Sequence, residues 1–130
     1  MKTDHIVNAA SEYLSTRKEV VFAYLFGSQV KGRITKMSDI DVAVYFAEAY
    51  VGKIDKLKFL QALSEAVGTD ALDLVVLNMA PVTLVYKILQ NQIVLIDRNP
   101  AKRHIFESLN MRKYFDFSFL EKNILDRRYG

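Results

Sequence analysis

Four short runs rich in β-branched and aromatic residues alternate along this chain with segments whose apolar residues recur every three or four positions, and that alternation limits the fold more than any other feature. The runs are VVFAYLF at 20–26, DIDVAVYF at 39–46, LDLVVLN at 72–78 and QIVLID at 92–97. Between and around them, Ile6, Ala9, Ala10, Tyr13 and Leu14 predict a helix over 4–17, with Thr3 or Asp4 as its cap. Leu57, Leu60, Leu63 and Val67 predict another over 53–67, closed by Gly68. Pro81 opens a third, through Gln90. Asn99-Pro100, a cap residue followed by proline, starts a helix over 101–112, and the capping-box pattern Ser118-x-x-Glu121 predicts a separate last helix to about 128. The expected class is α/β (α+β): one domain over 1–130 with a small mixed sheet of about four strands flanked by helices, the C-terminal helices beginning near 100.

Composition narrows the chemistry. The absence of cysteine removes disulfides, thiolate metal sites and cysteine nucleophiles. No apolar run approaches the roughly 18 residues of a membrane span and the N-terminus is polar, so the expected compartment is the cytoplasm, with no membrane contact. A net charge of +3 is too small to argue for direct nucleic-acid binding. Its distribution is uneven: residues 1–97 hold ten Lys/Arg and eleven Asp/Glu, residues 98–130 eight and four. That C-terminal excess reads first as a solvated helix face, and second as a docking face for an acidic partner or for phosphates. The apolar stretch KYFDFSFL at 113–120 is expected to pack on the domain, an interface being the other reading. His5 and His104 have no metal-ligand company and read as surface residues.

The polar loop between the first two strand runs opens with Gly27-Ser28 and leads into Asp39-Ile40-Asp41, where no hydrophobic core calls for carboxylates. Alternation along a strand puts Asp39 and Asp41 on one side, roughly 6 to 7 Å apart, with Ala43 and Tyr45 behind them. Two acids held so close repel unless a cation sits between them, and Mg²⁺ takes one or two carboxylates together with phosphate oxygens. Asp73, at the start of an otherwise apolar run, joins them if the second and third strands are neighbours. Gly27 permits a positive φ and close backbone approach, and Ser28 offers a hydroxyl and an N–H to phosphate.

Gly27-Ser28, ten residues, Asp39-x-Asp41 and a later strand acid at Asp73 together resemble the DNA polymerase β-like nucleotidyltransferases. FGSQVKGRITKMSDIDVAV is more closely similar to the minimal nucleotidyltransferase (MNT) proteins, found as antitoxins beside HEPN-domain toxins. The resemblance implies the nucleotidyltransferase fold, ATP as substrate and two Mg²⁺ ions held by Asp39, Asp41 and Asp73. Gly27 and Ser28 would hold the triphosphate, and Asp73 would act as base or as a further ligand. Lys31 stands where the family often has arginine, keeping positive charge near the phosphates without the bidentate fork. The family often has glycine before the fourth strand; here Asn91 is expected to take the left-handed turn.

As function, the resemblance implies transfer of AMP from ATP to a tyrosine of a HEPN ribonuclease toxin, the small domain relying on that partner to supply the acceptor. The alternatives are an antitoxin that neutralises by binding alone and transfer to a small molecule, with assembly of like or unlike chains compatible with each.

Overall fold

The four runs form one sheet. In the computed structural model, which describes residues 2–27 and 40–129 with side chains over 4–27 and 40–122, the elements follow as α1 (Lys2–Ser15), β1 (Val20–Phe26), β2 (Ile40–Phe46), α2 (Lys56–Val67), β3 (Leu72–Val76), α3 (Val82–Gln90), β4 (Gln92–Asp97) and α4 (Pro100–Tyr129). Single 3₁₀ turns lie at Glu48–Tyr50 and Leu77–Met79. The strand order is β3-β2-β1-β4. β1 is antiparallel to both β2 and β4, whereas β2 and β3 are parallel. A parallel pair needs a crossover, and α2 supplies it.

Alternation divides the sheet's side chains between two cores. Leu25, Val42, Val44, Phe46 and Leu74 pack with Ile6, Ala10 and Leu14 of α1 and with Phe59 and Leu63 of α2. On the opposite face Phe22, Tyr24 and Ala43 pack with Val85 and Ile88 of α3, and Phe106 of α4 joins them. Each large apolar side chain so buried contributes roughly 1.5–3 kcal/mol. By the same period Asp41 and Asp73 belong to the face of α3 and α4. Among the described residues no helix is long and apolar enough to cross a membrane.

Side chains set several element ends. The Ser15 and Thr16 hydroxyls donate to the carbonyls of Glu12 and Tyr13 at 2.7 and 2.6 Å, competing with the helical ladder where α1 stops. Arg98 donates to the Ser15 carbonyl at 2.6 Å, tying that end to the residue after β4. Asp55 accepts from the N–H of Lys58 and Gly68 takes the left-handed conformation, so α2 is capped at both ends. Asn99 accepts from the N–H of Lys102 at 3.1 Å, the cap its sequence position suggests.

Five expectations are corrected. α1 begins at Lys2, so neither Thr3 nor Asp4 stands before it; Asp4 instead lies in the first turn, where a carboxylate suits the helix dipole. α2 starts at Lys56 rather than 53, because the Asp55 cap fixes its entry. β3 ends at Val76, where the Asn78 side chain takes over its role: it accepts from the N–H of Phe46 and donates to the Phe46 carbonyl, both at 2.9 Å, as a strand peptide would. Asn78→Ala is expected to cost about 1–3 kcal/mol, the price of orphaning two polar groups on β2, measured as a lowered midpoint in urea. Asn91 has φ −143°, so no left-handed residue is used there.

The last correction concerns the C-terminus, where the two expected helices are one continuous α4. A capping box works only where the chain has already left the helix, and Ser118 lies in its middle. Without a break there is no turn back toward the sheet. Phe115, Phe117, Phe119 and Leu120 are consequently exposed rather than packed on the domain. His5 and His104 are exposed, as expected.

Candidate active site

Asp41 is the second residue of β2, and the ladders on both sides decide its surroundings. On one side it is in register with Phe26 of β1; on the other it is in register with Asp73 of β3. Adjacent strands lie about 4.8 Å apart, so two carboxylates stand side by side at the leading end of a parallel pair. Asp73 is exposed, and its Oδ1 accepts from the N–H of Leu74 at 3.0 Å. Asp41 is half-buried.

Gly27 follows Phe26 and closes the third side. Its φ is +90°, and a Cβ added there would collide with Oδ2 of Asp41 and lie 3.3 Å from its Cγ. Glycine is therefore required twice, for conformation and for room. The close approach brings the backbone after β1 against the carboxylate face.

Of the residues singled out in the sequence, the structure brings Gly27, Asp41 and Asp73 together; Ser28, Lys31 and Asp39 lie outside the described residues. No group of three potential metal-ligating side chains forms among the described residues. The donor set nonetheless suits a hard divalent cation: two carboxylates on neighbouring strands offer oxygen ligands alone. With Asp39, Asp41 and Asp73 would hold it.

Behind the carboxylates lies a polar network that sequence reasoning missed. The Tyr24 hydroxyl, on a fully buried side chain of β1, donates to Oε2 of Glu107 at 2.7 Å. Arg103 donates to the same oxygen at 2.9 Å and to Oδ2 of Asp97 at 2.7 Å. Burial, then the Glu107 bond, push the Tyr24 phenol well above its ordinary range, so it stays protonated and keeps donating. The network fixes α4 across β1 and β4. The i,i+4 spacing of Arg103 and Glu107 was visible in the sequence, but nothing there named Tyr24 as their partner.

The profile of the family described as Polymerase beta, Nucleotidyltransferase matches residues 8–101, most of the chain and the whole of the carboxylate face. No curated protein matches. Among solved structures, a toxin-antitoxin with AMP-PNP aligns with TM-score 0.73 and 22% identity over 100% of both chains. A tri-AMPylated HEPN toxin in complex with MNT antitoxin, from Shewanella oneidensis, aligns with TM-score 0.69 and 20% identity, again over 100% of both. A mutant of the toxin-antitoxin MntA-HpeT aligns with TM-score 0.72 and 25% identity over 95% of this chain and 97% of that one. With the family profile spanning the sheet and the paired acids, the chain belongs to the polymerase β nucleotidyltransferase family.

Proposed function

We propose that the chain is a magnesium-dependent adenylyltransferase that acts as an antitoxin, moving AMP from ATP to a tyrosine hydroxyl of a HEPN ribonuclease toxin. The observation that carries this reading is the register of Asp41 opposite Asp73, beside a glycine whose missing side chain makes room for the carboxylate. The family assignment supports the reaction type, and the fold shared with toxin-antitoxin structures that contain AMP-PNP or an AMPylated toxin supports nucleotide and partner.

In the proposed reaction the tyrosine oxygen attacks the α-phosphorus of ATP. The bond from that phosphorus to the bridging oxygen breaks, and pyrophosphate leaves with the electron pair. Asp73, the exposed carboxylate, takes the proton released by the hydroxyl. Asp39 and Asp41, together with Asp73, would hold the magnesium ions, which when bound would neutralise triphosphate charge. The backbone at Gly27 and Ser28 orients the triphosphate, and Lys31 adds positive charge beside it.

Incubating the chain with ATP, Mg²⁺ and the HEPN protein encoded with it, then locating added mass by peptide mass spectrometry, tests the proposal. The expected result is adenylyl groups on a tyrosine, with ribonuclease activity lost in parallel. A toxin neutralised with no adduct would instead identify an antitoxin that works by binding alone.

A further inference from the structure

The register of the sheet sets four side chains in a row. Asp73 of β3 is opposite Asp41 of β2, Asp41 is opposite Phe26 of β1, and Phe26 is opposite Gln92 of β4. Residues directly opposite one another share a face, so all four stand on the side of α3 and α4, where Phe26 packs on the core. The row crosses the whole sheet at its carboxylate end. Strands spaced about 4.8 Å apart put Gln92 two spacings beyond Asp41, roughly 9.6 Å at the backbone.

The order of that row gives the proposed reaction a direction, and the inference rests on that reaction. β3 stands at one end of the strand order, and Asp73 is the exposed carboxylate that takes the proton of the attacking hydroxyl. In an in-line displacement the attacking and leaving oxygens lie on opposite sides of the phosphorus. With the acceptor on the β3 side and the α-phosphorus at Asp41, pyrophosphate departs toward β1 and β4. Gly27, just past the end of β1, lies on that path, as backbone contact with the triphosphate requires. Beyond it the row ends at Gln92.

Gln92 suits the far end of that path. Its carboxamide offers two N–H donors without adding charge. The residue is half-buried, and among the described residues nothing hydrogen-bonds its side chain. It opens β4 one position after the last residue of α3, so its backbone is held from both sides. Phe26, between Asp41 and Gln92, supplies an apolar floor, and hydrogen bonds made above such a floor are stronger than in open water. The C-terminal turn of α3 would by itself repel an anion; Lys87 is the basic residue it carries.

We propose that the Gln92 carboxamide donates to non-bridging oxygens of the β- and γ-phosphates of ATP, and to the pyrophosphate as it leaves. Such a contact holds the leaving group opposite the acceptor and does not touch the nucleoside. A merely solvated strand end at Gln92 would give no dependence on ligand at all.

Calorimetry in Mg²⁺ with three probes tests it: a non-hydrolysable ATP analogue, inorganic pyrophosphate and AMP. Gln92→Leu is expected to weaken the analogue and pyrophosphate about tenfold, the worth of a hydrogen bond to a charged group, and to leave AMP within twofold of wild type. Gln92→Lys, which brings a cation to the same place, is expected to bind pyrophosphate more tightly than wild type. Both variants should melt with the wild-type chain, because the side chain holds no other element. Pyrophosphate affinity unchanged within twofold in both variants would overturn the inference: with AMP weakened, the nucleoside lies at Gln92, and with AMP unchanged, the residue touches no ligand. Either result leaves the transfer reaction standing. A wild-type chain that binds neither the analogue nor pyrophosphate would overturn the proposed function together with the inference.

Discussion

Asp41→Asn is expected to slow nucleotidyl transfer on the order of 10³-fold while leaving the sheet folded. Asp41 lies between β1 and β3 with Asp73 directly opposite, so the substitution replaces one of two adjoining anions with a neutral amide. Removing one electrostatic stabiliser from an active site typically costs about 10²–10³ in rate, and losing a general base about 10²–10⁴. Asp73→Asn should fall in the same range. The amide oxygen can still accept from the N–H of Leu74, so that loss would reflect charge rather than a broken local contact. The double variant is expected to be little worse than either single one, because residues acting as a unit do not add. Stability should move the other way for Asp73→Asn: like charges opposite one another on neighbouring strands cost roughly 0.2–1 kcal/mol, so in metal-free buffer it should melt no lower than wild type. Single-turnover transfer rates and thermal melts in a chelator check both halves.

Gly27→Ala is expected to lower activity on the order of 10²-fold and stability by about 1–2 kcal/mol, the usual cost of a left-handed backbone in a residue bearing Cβ. Its new methyl would occupy space held by the Asp41 carboxylate, so backbone or acid must shift. Gly68→Ala is the control. Gly68 has φ +86°, but a Cβ there meets nothing within 4 Å. It should therefore show the conformational penalty in a urea titration and keep its transfer rate. Equal activity losses in the two variants would mean that strain, not displacement of Asp41, explains the effect.

The ease with which each feature could be read from the sequence follows from its physical origin. β1 and β4 have the bounds expected, because uninterrupted apolar runs ending in polar residues leave the ladder little choice of where to stop. β3 is shorter than its apolar run, since Asn78 satisfies Phe46 through a side chain, an exchange that no periodicity records. The local capping-box signature at Ser118-x-x-Glu121 predicts two helices where α4 is one. Between Ala101 and Tyr129 there is no glycine or proline, and extending a helix already nucleated costs little. Its exposed phenylalanines follow from that continuity.

The paired acids were half legible. Alternation set the face of Asp41, but bringing Asp73 beside it depended on β2 and β3 pairing in parallel with that register, which α2 makes possible and the ladder fixes. A positive φ at Gly27 was foreseeable from residue type. Its contact with Asp41 was not, because that closeness exists only once β1 and β2 are paired.

Calorimetric titration of the chain with a non-hydrolysable ATP analogue, with and without Mg²⁺, tests the joint site of Gly27, Asp41 and Asp73 most directly. Saturable binding that requires Mg²⁺ and is lost in both Asp41→Asn and Asp73→Asn is the expected result. Absence of binding in the wild-type chain, or binding of equal strength in both variants with or without the metal, would contradict it.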